Sequence, residues 1–247
     1  VWHSIDIGNY AKDNNIVVNG NAQSTGGGAV KISVGSTNNV VVVKGNLTTT
    51  ATSGSPTIQI FDQSTDNLII IDGNVTQLAN QAAINFGSAL ETTSDDNTIV
   101  ISGQITSARD GIRFTRSDHN EVFVSGGINA VRNAVSADST SINNTVYLDR
   151  NARIEGAIES DGANNTLYFA SWQSINGDAN TDIDGDVDLN EVISGGLGQY
   201  GLATSANYTL SGTTPWVMKG NVGQPVIVSN TYVKTMGVAN IDDEGNR

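Results

Sequence analysis

Six carboxylates crowd one stretch of the chain, at Asp178, Asp182, Asp184, Asp186, Asp188 and Glu191. Like charges at that density repel one another unless solvent screens them or a cation sits among them. Oxygen-only donors select a hard cation such as calcium, which takes roughly six to eight oxygens at about 2.3–2.6 Å. A second ionisable group, Asp110, Arg113, Arg116 and His119, reads either as reactive chemistry or as a solvated face with local ion pairs. The two histidines, His3 and His119, lack flanking glycines, and the chain has no Gly-x-Ser-x-Gly, no phosphate loop and no His-Glu-x-x-His. Serine-nucleophile, phosphoryl-transfer and zinc-protease chemistry therefore find no motif here.

The stretch from Asn180 to Glu191 resembles the twelve-residue calcium loop of EF-hand and dockerin modules. The resemblance implies oxygen ligands at Asn180, Asp182 and Asp184, the backbone carbonyl of Asp186, Asp188 through a water, and Glu191 as a bidentate clamp. Gly185 would supply the sharp turn and Val187 the inward apolar contact. Two features depart from the pattern: the first position is Asn where Asp is usual, and Val192 to Gly196 leaves little room for an exiting helix. A solvated acidic turn is the competing reading. Calcium here would be structural, fixing residues 171 to 200, and not catalytic.

A repeat must position these groups, and its clearest copy runs from Asp96 to Ile105. Taking Asn97 as position zero, the same anchor recurs at Asn14, Asn39, Asn67, Asn120 and Asn144, with a shortened copy at Asn165. Successive anchors are 25, 28, 30, 23, 24 and 21 residues apart. Apolar residues follow at plus two and plus four, as in Ile69 and Ile71 or Ile99 and Ile101, which is the period of a strand. A glycine breaks it at plus six (Gly20, Gly45, Gly73, Gly103, Gly126), with Arg150 in the sixth copy, and plus eight is small or aliphatic: Ala22, Leu47, Val75, Ile105, Ile128, Ala152. A second strand follows around Val30 and Ile32, Ile58 and Ile60, Ile84 and Phe86, Ile112 and Phe114, Val135, then Ile158.

A unit of two or three short strands cannot bury its own apolar face, so neighbouring coils must stack and share a core. Stacking sets each anchor asparagine above the last at a bend. There its amide can bond its neighbours in a ladder or serve only an ordinary Asx turn. The preceding residues, Asp13, Asn38, Asp66, Asp96, His119, Asn143 and Asn164, suit a turn. Extra length falls in Thr48 to Pro56 and Leu78 to Asp96, as turns that protrude from one side.

Composition narrows the setting. Charged residues make up 15% and aromatic residues 6%, so the surface is expected to be rich in Asn, Ser, Thr and Gly. The net charge of −13 argues against nucleic acid and anionic membrane surfaces as partners. No apolar run approaches membrane-spanning length, and there is no signal segment, so Val1 reads as a cut end. Without cysteine, stability rests on stacking. The expected fold is all-β: a right-handed parallel β-helix of about seven coils over residues 1–170, then an acidic loop and a small β-rich cap or linker over 171–247. Residues 241–247 read as a linker.

The Asn-anchored coils over residues 13 to 169 resemble the right-handed parallel β-helix of the pectin-lyase-like class, and most of all passenger segments of bacterial autotransporters. That resemblance implies a secreted or cell-surface location, with the coil as a non-enzymatic stem or adhesion surface. Its partner would be a carbohydrate or protein on a host or neighbouring cell, with no membrane insertion of this segment. The alternative is a carbohydrate-active β-helix, a lyase, hydrolase or phage-type sugar-binding spike. Enzymes of the class use acidic clusters with a nearby Arg or Lys, or carboxylates with Gly-His-Gly, and only Asn180-Thr181-Asp182 echoes one such element. A structural calcium ion should raise the melting temperature at millimolar concentration. Magnesium should raise it less, and neither should act after Asp182→Ala with Glu191→Ala. A melting curve unchanged by chelator would leave the solvated turn as the reading.

Overall fold

The computed structural model describes residues 3–52, 54–88, 93–148, 153–169, 207–211 and 217–219. Asn-anchored strands Asn15–Val18, Val40–Val43, Leu68–Ile71, Thr98–Ile101, Glu121–Val124, Thr145–Leu148 and Thr166–Phe169 pair in parallel in sequence order, and Val217–Lys219 extends that sheet. The chain is an all-β parallel solenoid of about six turns.

Two further faces complete each coil. The second face stacks Ala22–Ser24, Leu47–Thr49, Val75–Gln77 and Ile105–Ser107; the third stacks Ile5–Ile7, Val30–Ile32, Ile58–Ile60, Ile84–Phe86 and Ile112–Phe114. Gly127–Ala137 and Arg153–Ser160 each turn the corner without a break and join both faces into one sheet. The extended stretch before the first anchor continues the array, because Ile5–Ile7 pairs in parallel with Val30–Ile32. In the sixth coil Ile154 pairs with Ile128, and Ala152, expected at this position, lies outside the described residues.

Period-two spacing on the first face puts plus two and plus four inward. Ile69, Ile71, Ile99, Ile101, Val122 and Val124 are completely buried, and Ile71, Ile101 and Val124 lie in one register. Leu47, Val75, Ile105 and Ile128 enter the same core from the second face, and Phe86 stacks on Phe114 at 5.1 Å from the third. Each such aliphatic contributes ~1.5–3 kcal/mol on burial. The outward row at plus three is apolar as well, and Val42, Ile70, Val100 and Phe123 are 1–7% exposed. That two-sided burial is why these strands read as near-continuous apolar runs.

The bends are held by the asparagines, which form a true ladder. Asn97 donates through Nδ2 to Ser64 O, Asp95 O and Asn120 Oδ1, and its Oδ1 accepts from the Asn67 backbone N and Nδ2, all within 3.1 Å. The same set recurs at Asn39, Asn67, Asn120 and Asn144. The carbonyl taken from the coil below belongs to the residue three before its own anchor, which is Ala11 at the first step and then Ser36, Ser64, Ser94, Ser117 and Ser141. The residue before each anchor sits in the left-handed region, with φ from 54° to 59° at Asp13, Asn38, Asp66, Asp96, His119, Asn143 and Asn164. Asn, Asp and His tolerate that region better than other side chains.

The glycine stack has a different cause. A Cβ at Gly73 or Gly103 would lie 2.5–2.6 Å from the carbonyl oxygen of the glycine one coil below. Next to it a shorter ladder runs from Asn21 to Asn46 to Asn74, each Oδ1 accepting the following coil's backbone N at 2.8 Å.

Asn97→Ala strands several buried partners at once, and each costs about 1–3 kcal/mol. Urea unfolding should show a loss of about 3 kcal/mol or more, and Gly103→Ala about 1–3 kcal/mol. A loss below about 1 kcal/mol for Asn97→Ala would mean that the ladder contributes little to stability.

Candidate functional site

The metal ligands expected at Asn180, Asp182, Asp184, Asp186, Asp188 and Glu191 lie outside the described residues. Among the described residues no three His, Cys, Asp or Glu side chains group as a metal site. Among the described residues, the two ionisable groupings that contain Asp110 and His119 lie on the outside of the coil.

Stacking divides the group Asp110, Arg113, Arg116 and His119. His119 belongs to a bend beside the first face, where side chains just before and just after the anchor point outward on three successive coils. Asp96, Thr98, His119, Glu121, Asn143 and Thr145 line an open groove of about 360 Å³ there, within the size range of small-ligand sites. Parallel register aligns Thr98, Glu121 and Thr145. His119 Nε2 and Asn143 Nδ2 stand 3.3 Å apart, and the Tyr147 hydroxyl donates to Glu121 Oε1 at 3.2 Å. The Tyr147 ring stacks on Phe123 at 4.3 Å.

Burial pushes the Glu121 carboxyl above its ordinary pKa, and the Tyr147 hydrogen bond pulls the other way. Asp118, one residue before His119, is raised too, by burial first and then by the negative charge of Asp95; its hydrogen bond from the Ile142 backbone opposes this. Two carboxylates, an imidazole, two hydroxyls and an amide can accept from and donate to the hydroxyls of a sugar. A carboxyl with raised pKa can also hold a proton for general acid chemistry.

Asp110 and Arg113 lie at the corner between the second and third faces. Asp110 is fully buried and takes a two-pronged hydrogen bond from Arg132 at 2.6 and 2.7 Å, with Arg109 Nε at 3.4 Å. Arg113 Nε donates to Asn85 Oδ1 at 2.6 Å. This is a built corner with a buried carboxylate at its centre, not a solvated face. Sequence reading missed Arg132, although coil alignment exposes it: its backbone N donates to Arg109 O, so the two arginines are stacked equivalents. Arg116 instead lies near Asp138, whose carboxylate accepts its backbone N at 3.3 Å.

Comparison with family models, curated proteins and solved structures returns no match for this chain.

The raised Glu121 carboxyl has a definite sign. The folded state holds that proton more tightly than the unfolded chain, so the group favours folding below its unfolded pKa and loses that contribution as pH rises through the folded value. Glu121→Gln should therefore melt higher than the parent at pH 7.5, and the gain should vanish below about pH 4. A variant that melts lower at pH 7.5, or gains equally at both pH values, contradicts the assignment.

Proposed function

We propose that this chain is a non-enzymatic β-solenoid segment of an exported bacterial surface protein, serving as stem and adhesion surface. The observation that carries the reading is continuity. Ladder and core pass from coil to coil without interruption from Asn14 to Asn165, and the glycine stack from Gly20 to Gly126, which makes a rod that displays whatever its outer rows hold. Those rows are suited to surface contact: Thr48, Thr76, Thr106 and Asn129 align on the second face, and the acidic groove lies beside the first. The partner in this reading is a carbohydrate or protein ligand on a host or neighbouring cell.

The groove also favours a second reading, a carbohydrate-active coil, because Asp96, Glu121 and His119 face one another across a space that fits a sugar. Purified chain incubated with cells should be retained on their surface, and incubated with polysaccharides should release no new reducing ends or unsaturated products. Turnover that disappears in Glu121→Gln would move the assignment to the carbohydrate-active reading, and failure to bind any cell surface would remove the adhesion role.

A further inference from the structure

Arginine is unevenly spread in this acidic chain. Apart from Arg247, every arginine falls between Arg109 and Arg153, within a protein of net charge −13. Three of them meet at the corner between the second and third faces in the fourth and fifth coils. Asp110, with no exposed surface, fixes Arg132 through both carboxylate oxygens and stands 3.4 Å from Arg109. Asn85, 1% exposed and anchored by donating to Gly87 O at 2.7 Å, holds Arg113 through its Oδ1. Buried polar groups thus hold the guanidinium groups in fixed directions, so little side-chain entropy is left to lose when a ligand arrives.

At the corner itself three guanidinium groups outnumber the one buried carboxylate among them, while, one coil on, Glu155 stands in register with Asn129 and Glu159 accepts from Asn133 Nδ2 at 2.7 Å. Burial, more than any other cause, disfavours the charge on Arg113; Arg109 and Arg132 add to the effect, and Asp110 and then Asp138 oppose it. A further anion among them would relieve that imbalance. Arg113 spends only Nε on Asn85, and both of its Nη groups remain for a forked contact with a planar or tetrahedral anion.

The surroundings say what should carry the anion. Leu78 and Val131, 60% and 80% exposed, follow Gln77 and Ala130 on the same edge, and those two lie in one register through Ser107. They offer apolar surface for the C–H face of a ring. Thr106 and Asn129, paired one coil apart, offer hydroxyl and amide groups nearby. A long polyanion would meet repulsion from the rest of the chain, whereas one acidic residue among neutral sugars would not.

We propose that this corner binds the carboxylate or sulfate of an acidic sugar, with Arg113 as the forked contact, Arg109 and Arg132 flanking it, and Leu78 and Val131 as its apolar rim. The site deepens the adhesion reading by naming a ligand class, and in that respect it rests on that reading.

The test uses the purified chain at low salt, titrated calorimetrically with a hyaluronan tetrasaccharide, its carboxyl methyl ester and a chondroitin sulfate tetrasaccharide. At least one acidic tetrasaccharide should bind; binding of hyaluronan assigns the carboxylate, and binding of chondroitin sulfate without binding of hyaluronan assigns the sulfate. The neutral ester should bind at least about tenfold more weakly than the hyaluronan acid if carboxylate is the group read. Arg113→Gln should weaken the binding by about tenfold or more at an unchanged melting temperature. Val131→Asp, which adds a negative charge at an exposed rim position and leaves every arginine in place, should weaken it in the same direction. Binding by neither acid, an ester that binds as tightly as a hyaluronan acid that itself binds, or wild-type affinity in both variants overturns the proposal. If cells retain Arg113→Gln as well as the parent chain, adhesion uses another surface, and only the link between this site and adhesion falls. If cells retain neither protein yet the tetrasaccharide binds, the site stands and the adhesion role falls.

Discussion

Each coil of this protein is unfinished until the next one lies on it in register. The anchor asparagine expresses that dependence most sharply, because its Oδ1 serves the coil before it and its Nδ2 reaches the coil after it. Burying an amide without partners costs a few kcal/mol, so a slip of one residue along any first-face strand would strand donors and acceptors at every bend and turn inward side chains outward. The left-handed residue before each anchor and the glycine at plus six follow from the same demand. One directs the chain into the bend, and the other lets backbones approach where a Cβ would strike a carbonyl.

Much of this was legible in the sequence because the ladder uses one residue type at one position. Asn14 through Asn165, the inward pairs at plus two and plus four from Ile16 and Val18 to Val146 and Leu148, and the third-face pairs such as Ile84 and Phe86 stand where their spacing placed them. The second face was harder to read, because a strand such as Ala22–Ser24 or Leu47–Thr49 sends only one aliphatic inward and looks like a turn. The serine rung three residues before the anchor went unread too. Its backbone carbonyl does the work, and a carbonyl leaves no trace in residue type.

The outer chemistry was the least legible part. Asp110, Arg113, Arg116 and His119 are neighbours in sequence, yet one coil spreads ten residues around its circumference, so His119 reaches the groove while Asp110 is buried at a different corner. Contacts that matter run across coils, at separations such as the 22 residues between Asp110 and Arg132 or the 28 between Asn85 and Arg113. Only after the coils are aligned do those distances become adjacency.

Regular stacking also explains where function can reside. A repeat that agrees with itself at every level has no need of a buried carboxylate at a corner, or of a glutamate kept in a site that disfavours its charge. Asp110 and Glu121 are such departures. Asp110 falls in the fourth coil and Glu121 in the fifth, on different faces; in the fifth the second and third faces merge through Gly127–Ala137, and register shifts interrupt its pairing with Arg153–Ser160. The ladder passes through these coils unchanged, so the scaffold absorbs the local cost without losing register. Interior coils are held from both sides, and that support lets them carry unfavourable groups which an end coil, held from one side only, could not.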